Sequence, residues 1–106
     1  MITIQDFKNC ELIVAKIIDV KEHANADRLY LVKVETGSGE RQVVAGIRSV
    51  YTKEQLIGRQ VVLLANLQSA LIRGEESNGM ILAASDEKGP ALLGIDREVP
   101  LGTIIK

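Results

Sequence analysis

The stretch from Glu11 to Lys21, ELIVAKIIDVK, sets Leu12, Val14, Ile18 and Val20 in one alternating register and Ile13, Ala15 and Ile17 in the other. Apolar residues in both registers predict a long strand covered on both faces. A polar connection, Glu22 to Arg28, follows, and its Asn and Asp suit side-chain-stabilised turns. From Leu29 to Thr36 the chain alternates Tyr30, Val32 and Val34 against Lys33 and Glu35, which predicts a second strand. Gly37-Ser-Gly39 reads as a hairpin turn, because glycine accepts the positive φ that tight turns need, and a third strand runs from Arg41 to Ile47.

Helical signal is local. Thr52-Lys-Glu-Gln55 matches a capping box and Leu56-Ile57-Gly58 ends in a glycine, which together predict one short helix. Gln60 to Leu67 (QVVLLANL) is apolar enough for a central fourth strand, and Gly79 to Ser85 (GMILAAS) reads as the fifth. Gln68 to Asn78, between them, is predicted to be a polar loop. Ala91–Ile95 and Thr103–Ile105 look like added strands, punctuated by Pro100 and Gly102. Five strands with one short helix between the third and fourth is the order of an OB-fold, a partly open Greek-key barrel. The expected class is therefore all-β, an OB-fold five-stranded Greek-key barrel with a C-terminal extension. No repeat, low-complexity stretch or linker interrupts it, so residues 1–106 are expected to form one domain.

Composition narrows the chemistry. The 106 residues are 25% charged and 46% hydrophobic with a formal net charge of −1, which suits one soluble globular domain. One cysteine, Cys10, allows no intrachain disulfide, and with one histidine, His23, no common four-ligand zinc site can form within the chain. No metal and no cofactor are expected. There is no apolar run of about 18 residues and no signal-peptide pattern at the start, so the expectation is a cytoplasmic protein without membrane association. A pI near 5.8 argues against bulk-electrostatic binding of nucleic acid. Residues 1–53 hold eight Lys/Arg and seven Asp/Glu, whereas 54–106 hold five and seven, which still permits a local basic face.

Catalysis needs a nucleophile and a base. The available pairs are Cys10 with His23, or Ser77 with Glu75 or Glu76, and neither has a third member or an oxyanion signature. Gly37-Ser-Gly39 lacks the lysine and following helix of a phosphate-cradling loop. A non-catalytic protein is expected.

Longer motifs carry more. Asp6-Phe7, Leu12-Ile-Val-Ala-Lys16-Ile17, His23-Ala-Asn25-Ala26-Asp27-Arg28-Leu29, Gln42-Val-Val-Ala-Gly46-Ile47, Ala65-Asn66-Leu67, Glu76-Ser77 and Gly79-Met80-Ile81-Leu82 stand in order along nearly the whole chain. This set resembles the tRNA-binding domain family, which includes the C-terminal domain or β subunit of methionyl-tRNA synthetase and free-standing structure-specific tRNA-binding proteins. The resemblance implies an OB-fold that binds tRNA at its outer corner by shape, as a homodimer, with methionyl-tRNA synthetase as a possible partner. Folded RNA hides its base edges in a deep, narrow groove, so phosphates, 2′-hydroxyls and splayed bases are what a protein can reach.

On that resemblance, the candidate tRNA-binding residues are Asn25, Arg28, Lys33, Arg41, Arg48, Arg73, Ser77, Asn78, Gly79 and Met80. Asn25 offers donors and an acceptor to a ribose or base edge, although Asn-x-Asp is also ordinary turn chemistry. Arg28 stands where the family usually has lysine. Lys33, Arg41, Arg48 and Arg73 are candidate phosphate contacts, each of which could equally be a solvated charge. Ser77-Asn78-Gly79-Met80 fits a nucleotide platform, with Met80 on a base face, or a barrel bend with Met80 in the core. Phe7 is expected to plug a barrel end. With no Trp, only Phe7, Tyr30 and Tyr51 could stack on bases, which disfavours a generic single-strand binder.

Departures from the pattern matter too. Gln68-Ser69-Ala70 stands where the family commonly carries basic positions, so Arg73 is the one cation left in that loop. Losing about two phosphate contacts weakens binding and flattens its salt dependence. Dimerisation or tethering to a synthetase would restore affinity through effective concentration. Two rivals follow: a structural dimerisation appendage with little RNA affinity, and a chaperone-like secretion factor, which would need a broad exposed apolar groove.

Overall fold

The computed structural model describes residues 1–106. Two short helices, α1 (Ile4–Lys8) and α2 (Lys53–Leu56), accompany nine strands: β1 (Leu12–Glu22), β2 (Tyr30–Glu35), β3 (Glu40–Ala45), β4 (Gln60–Leu64), β5 (Ala70–Ile72), β6 (Glu75–Ser77), β7 (Met80–Ile81), β8 (Ala83–Asp86) and β9 (Gly89–Leu92). The main sheet is ordered β3-β2-β1-β4-β7, with all neighbours antiparallel. It is the expected OB-like barrel, with α2 between the third and fourth strands.

β1 is the strand that makes closure possible. Residues Leu12 to Lys16 pair with β4 and Lys16 to Glu22 pair with β2, with a register shift between Ile17 and Asp19. The extra residue there, Ile18, bends the strand and sharpens its twist, so that one strand serves both sides of the barrel. At its start, where β2 does not reach, the C-terminal segment takes the free edge: Val14 N–H donates to the Thr103 carbonyl at 2.9 Å and Ile105 N–H to the Leu12 carbonyl at 2.9 Å. Val14 is buried outside the central cluster, so the two-sided apolar pattern of this strand has a cover on each face.

The interior is filled from alternate positions of the strands, Ala15, Ile17, Val20, Tyr30, Val32, Val34, Val43, Ala45, Val61 and Leu63, with Ile47, Leu56 and Ala65 completing it. Leu56 reaches that core from α2. The helix starts with the reciprocal pair foreseen in the sequence: Gln55 N–H donates to Thr52 Oγ1 at 3.3 Å and Thr52 N–H to Gln55 Oε1 at 2.8 Å. Gly58 follows at φ +92°, a conformation open to glycine without penalty.

Four expectations change. A second helix, α1, precedes β1 and carries its own capping box between Thr3 and Asp6. The stretch Gln68 to Asn78 holds the β5–β6 hairpin, because Arg73 and Gly74 form a two-residue turn between Ile72 and Glu75. The fifth strand divides at Leu82 into β7, which pairs with β4, and β8, which pairs with β9. Phe7 is half-buried on α1 and is not part of the core cluster it was expected to plug.

Candidate nucleic-acid interface

The barrel is closed on the β3 side by two side chains and one backbone bond. Ser77 Oγ accepts from Val44 N–H at 2.9 Å, Asn78 N–H donates to the Gln42 carbonyl at 2.9 Å, and Gln42 Nε2 donates to the Glu76 carbonyl at 2.9 Å. These bonds lay the β5–β6 hairpin against β3, with its tip directed toward the loop joining β1 to β2.

That loop, residues 23–29, is itself closed by His23 N–H donating to the Leu29 carbonyl at 3.2 Å. The His23 ring lies buried between loop and hairpin. Asn25 N–H donates to its Nδ1 at 3.0 Å, and its Nε2 lies 3.1 Å from the Ile72 carbonyl oxygen. A single imidazole therefore joins the backbone of Asn25 to that of Ile72, the residue just before Arg73.

Three candidates gather on this side, and a fourth lies on the adjoining strand. Asn25 and Arg28 are exposed on the β1–β2 loop, and Arg73 is exposed at the hairpin tip; neither arginine has an ion-pair partner. Lys33 is on the outward face of β2, opposite Gln42, the residue that holds the hairpin. Its one ion pair within 4 Å is with Glu40 at 3.9 Å, an exposed pair that holds the lysine weakly, and Asp19 is its register partner on β1.

Other candidates are engaged elsewhere. Arg48 flanks the same loop, but its guanidinium bonds Glu22 at 2.9 Å, and Glu22 also meets Lys53 at 3.4 Å. Arg41 pairs with Val34 on the inward register, near the opposite end of β2, and its guanidinium donates to the Ala65 carbonyl. It lines a cleft of about 510 Å³ beneath the β2–β3 turn together with Lys8 and Cys10. Ser77 is 4% exposed and its hydroxyl is used in barrel closure. Asn78 bonds Ser69 and Glu76 through its side chain. Gly79, buried at φ +128°, lets the β4 backbone approach: a Cβ there would lie 3.0 Å from the Leu64 carbonyl oxygen. Met80 is 45% exposed and borders an apolar groove of about 350 Å³ with Val44, Ile47, Leu82 and Pro90.

The tyrosines are committed internally. Tyr30 donates its hydroxyl to the Tyr51 carbonyl at 2.8 Å, and Tyr51 Oη accepts from Leu92 N–H at 3.0 Å while Arg59 lies 5.2 Å over its ring. Cys10 lines the cleft below the β2–β3 turn whereas His23 is enclosed at the other loop, so that pair is not assembled. Ser77 donates its hydroxyl to the Gly79 carbonyl rather than to Glu75 or Glu76.

A partly open OB-like barrel is an architecture that often binds oligonucleotides, and this one carries exposed cations and an amide on its loop rim. The family described as "Putative tRNA binding domain" matches residues 12–104. The chain belongs to this tRNA-binding domain family. It is 50% identical over 102 residues to the methionine–tRNA ligase of Thermococcus onnurineus, covering 96% of this chain and 14% of that protein. The chain thus spans about one-seventh of the length of that relative. Among solved structures, a "MetRS related protein" from Pyrococcus horikoshii superposes with a TM-score of 0.93 at 26% identity, over 100% of this chain and 98% of the other. The CsaA chaperone protein of Picrophilus torridus superposes with a TM-score of 0.92 at 28% identity, over the whole of both chains.

Proposed function

We propose that this domain grips the outer corner of tRNA by shape, without chemistry of its own, through Asn25, Arg28, Lys33 and Arg73. The observation that carries the reading is the junction of the β1–β2 loop with the β5–β6 hairpin, which gathers Asn25, Arg28 and Arg73 on one rim, with Lys33 on the adjoining strand. Few cations are available there, and Glu75 and Glu76 stand beside Arg73. Affinity from one copy is therefore modest, and a homodimer or attachment to methionyl-tRNA synthetase raises it through effective concentration. Filter binding with bulk tRNA, an RNA duplex and a single strand, each at two salt concentrations, tests the reading. Preference for tRNA supports it, and equal weak binding to all three ends it.

A second reading is favoured by the apolar groove beside Met80 and by the likeness to a chaperone. A protein-binding role would require unfolded polypeptide to occupy that groove. Sedimentation at micromolar concentration first asks whether a second copy covers apolar surface: a species of twice 11.6 kDa supports the dimer, and the 11.6 kDa species alone counts against it.

A further inference from the structure

His23 is 3% exposed although it opens a loop that carries Asn25, Asp27 and Arg28. A buried imidazole is costly unless both nitrogens are satisfied. Here the two partners also dictate its state. A backbone N–H can only donate, so Nδ1, facing Asn25 N–H, must be the bare acceptor; Nε2 then carries the proton and donates it to the Ile72 carbonyl oxygen. One ring bond holds the turn of its own loop. The other crosses 49 residues of sequence to the last residue of β5.

The crossing bond falls at a sensitive place. Ile72 immediately precedes Arg73, and the hairpin is otherwise held to the barrel near its base, through Gln42 with Glu76 and Val44 with Ser77. Without His23 the tip would be a short two-stranded ribbon fixed at one end, and such ribbons are marginal alone.

We propose that His23 is a positioning residue of the RNA-binding rim: its neutral ring clamps the β5–β6 hairpin to the β1–β2 loop and so sets Arg73 at a fixed distance from Asn25 and Arg28. Shape recognition requires this, because contacts that drift relative to one another lose the geometric match that distinguishes tRNA from other RNA. The proposal rests on the tRNA-binding reading above.

Two substitutions separate the clamp from a merely structural histidine. An asparagine carbonyl can replace Nδ1 but cannot reach Ile72, whereas a glutamine amide nitrogen can replace Nε2. His23→Asn should keep the turn and release the hairpin; His23→Gln should keep the hairpin bond. Binding of bulk tRNA is measured for wild type, both variants, and each combined with Arg73→Gln. His23→Asn is expected to lower affinity about fivefold and to abolish the further effect of Arg73→Gln, while His23→Gln stays within about twofold of wild type and retains it. Effects of His23→Asn and Arg73→Gln that simply multiply overturn the clamp. Amide hydrogen exchange at Ile72 and Glu75, the pair that flanks the turn, gives a readout independent of RNA: faster exchange in His23→Asn but not in His23→Gln supports the clamp, and equal exchange in both overturns it. If wild type shows no preference for tRNA, the functional reading fails and the exchange result alone judges the clamp.

Discussion

Arg73 and Gly74 stand side by side in the left-handed region at the hairpin tip, with φ of +53° and +87°. Positive φ at both central residues is the signature of the hairpin turn that matches strand twist, and Asn-Gly is the sequence that adopts it most easily. An arginine there costs the turn about 1 kcal/mol, and Arg73 bonds nothing inside the protein that would offset it. The position trades stability for an exposed cation.

Arg73→Asn should therefore raise thermodynamic stability by about 0.5–1 kcal/mol and lower tRNA affinity about three- to tenfold at low salt. Urea unfolding paired with filter binding checks both halves. A loss of stability would show that the guanidinium has a structural partner.

Ser77 and Arg41 should behave in the opposite way. Ser77→Ala leaves the Val44 amide without its 2.9 Å acceptor at the barrel seam, and should cost about 1–3 kcal/mol. Arg41→Met removes the donor to the Ala65 carbonyl and should cost about 1 kcal/mol. Neither should change tRNA affinity more than about twofold when measured well below the unfolding midpoint.

Salt dependence reads the number of cations in use. Three phosphate contacts, from Arg28, Lys33 and Arg73, predict a log–log slope of about −2 to −3 per domain. Replacing Arg28 and Lys33 together by glutamine should make it shallower by about two. An unchanged slope would place the phosphates elsewhere.

Gly37 joins the β2–β3 turn to the C-terminal segment. Its φ is +88° and a Cβ would stand 2.6 Å from the Leu101 carbonyl oxygen. Gly37→Ala should cost about 2–3 kcal/mol through backbone strain and displacement of Leu101, seen as a fall in the thermal midpoint.

Much of the barrel was legible because its signals are local. The alternation of Tyr30, Val32 and Val34, the Thr52–Gln55 capping box and the Gly37–Gly39 turn each act over a few residues, and each lies where it was read. A related Thr-x-x-Asp pattern at Thr3 and Asp6 marks α1, although the run after it is too short to show helical periodicity. The β5–β6 hairpin was missed because its turn holds arginine where asparagine is usual, and because Glu75 and Glu76 break any apolar alternation.

The linear chain by itself determined the strand sequence, the single short helix within the barrel and the family resemblance, since periodicity, capping and spacing are carried by neighbours along the chain. Only the tertiary structure decided which polar residues were free to meet a ligand. Ser77, Arg41, Arg48 and His23 look alike from the sequence as exposed polar positions, yet each finds a partner 24 to 49 residues away. Such partners are selected by barrel closure, which brings distant carbonyls and amides within hydrogen-bond reach and turns a candidate contact into a strut.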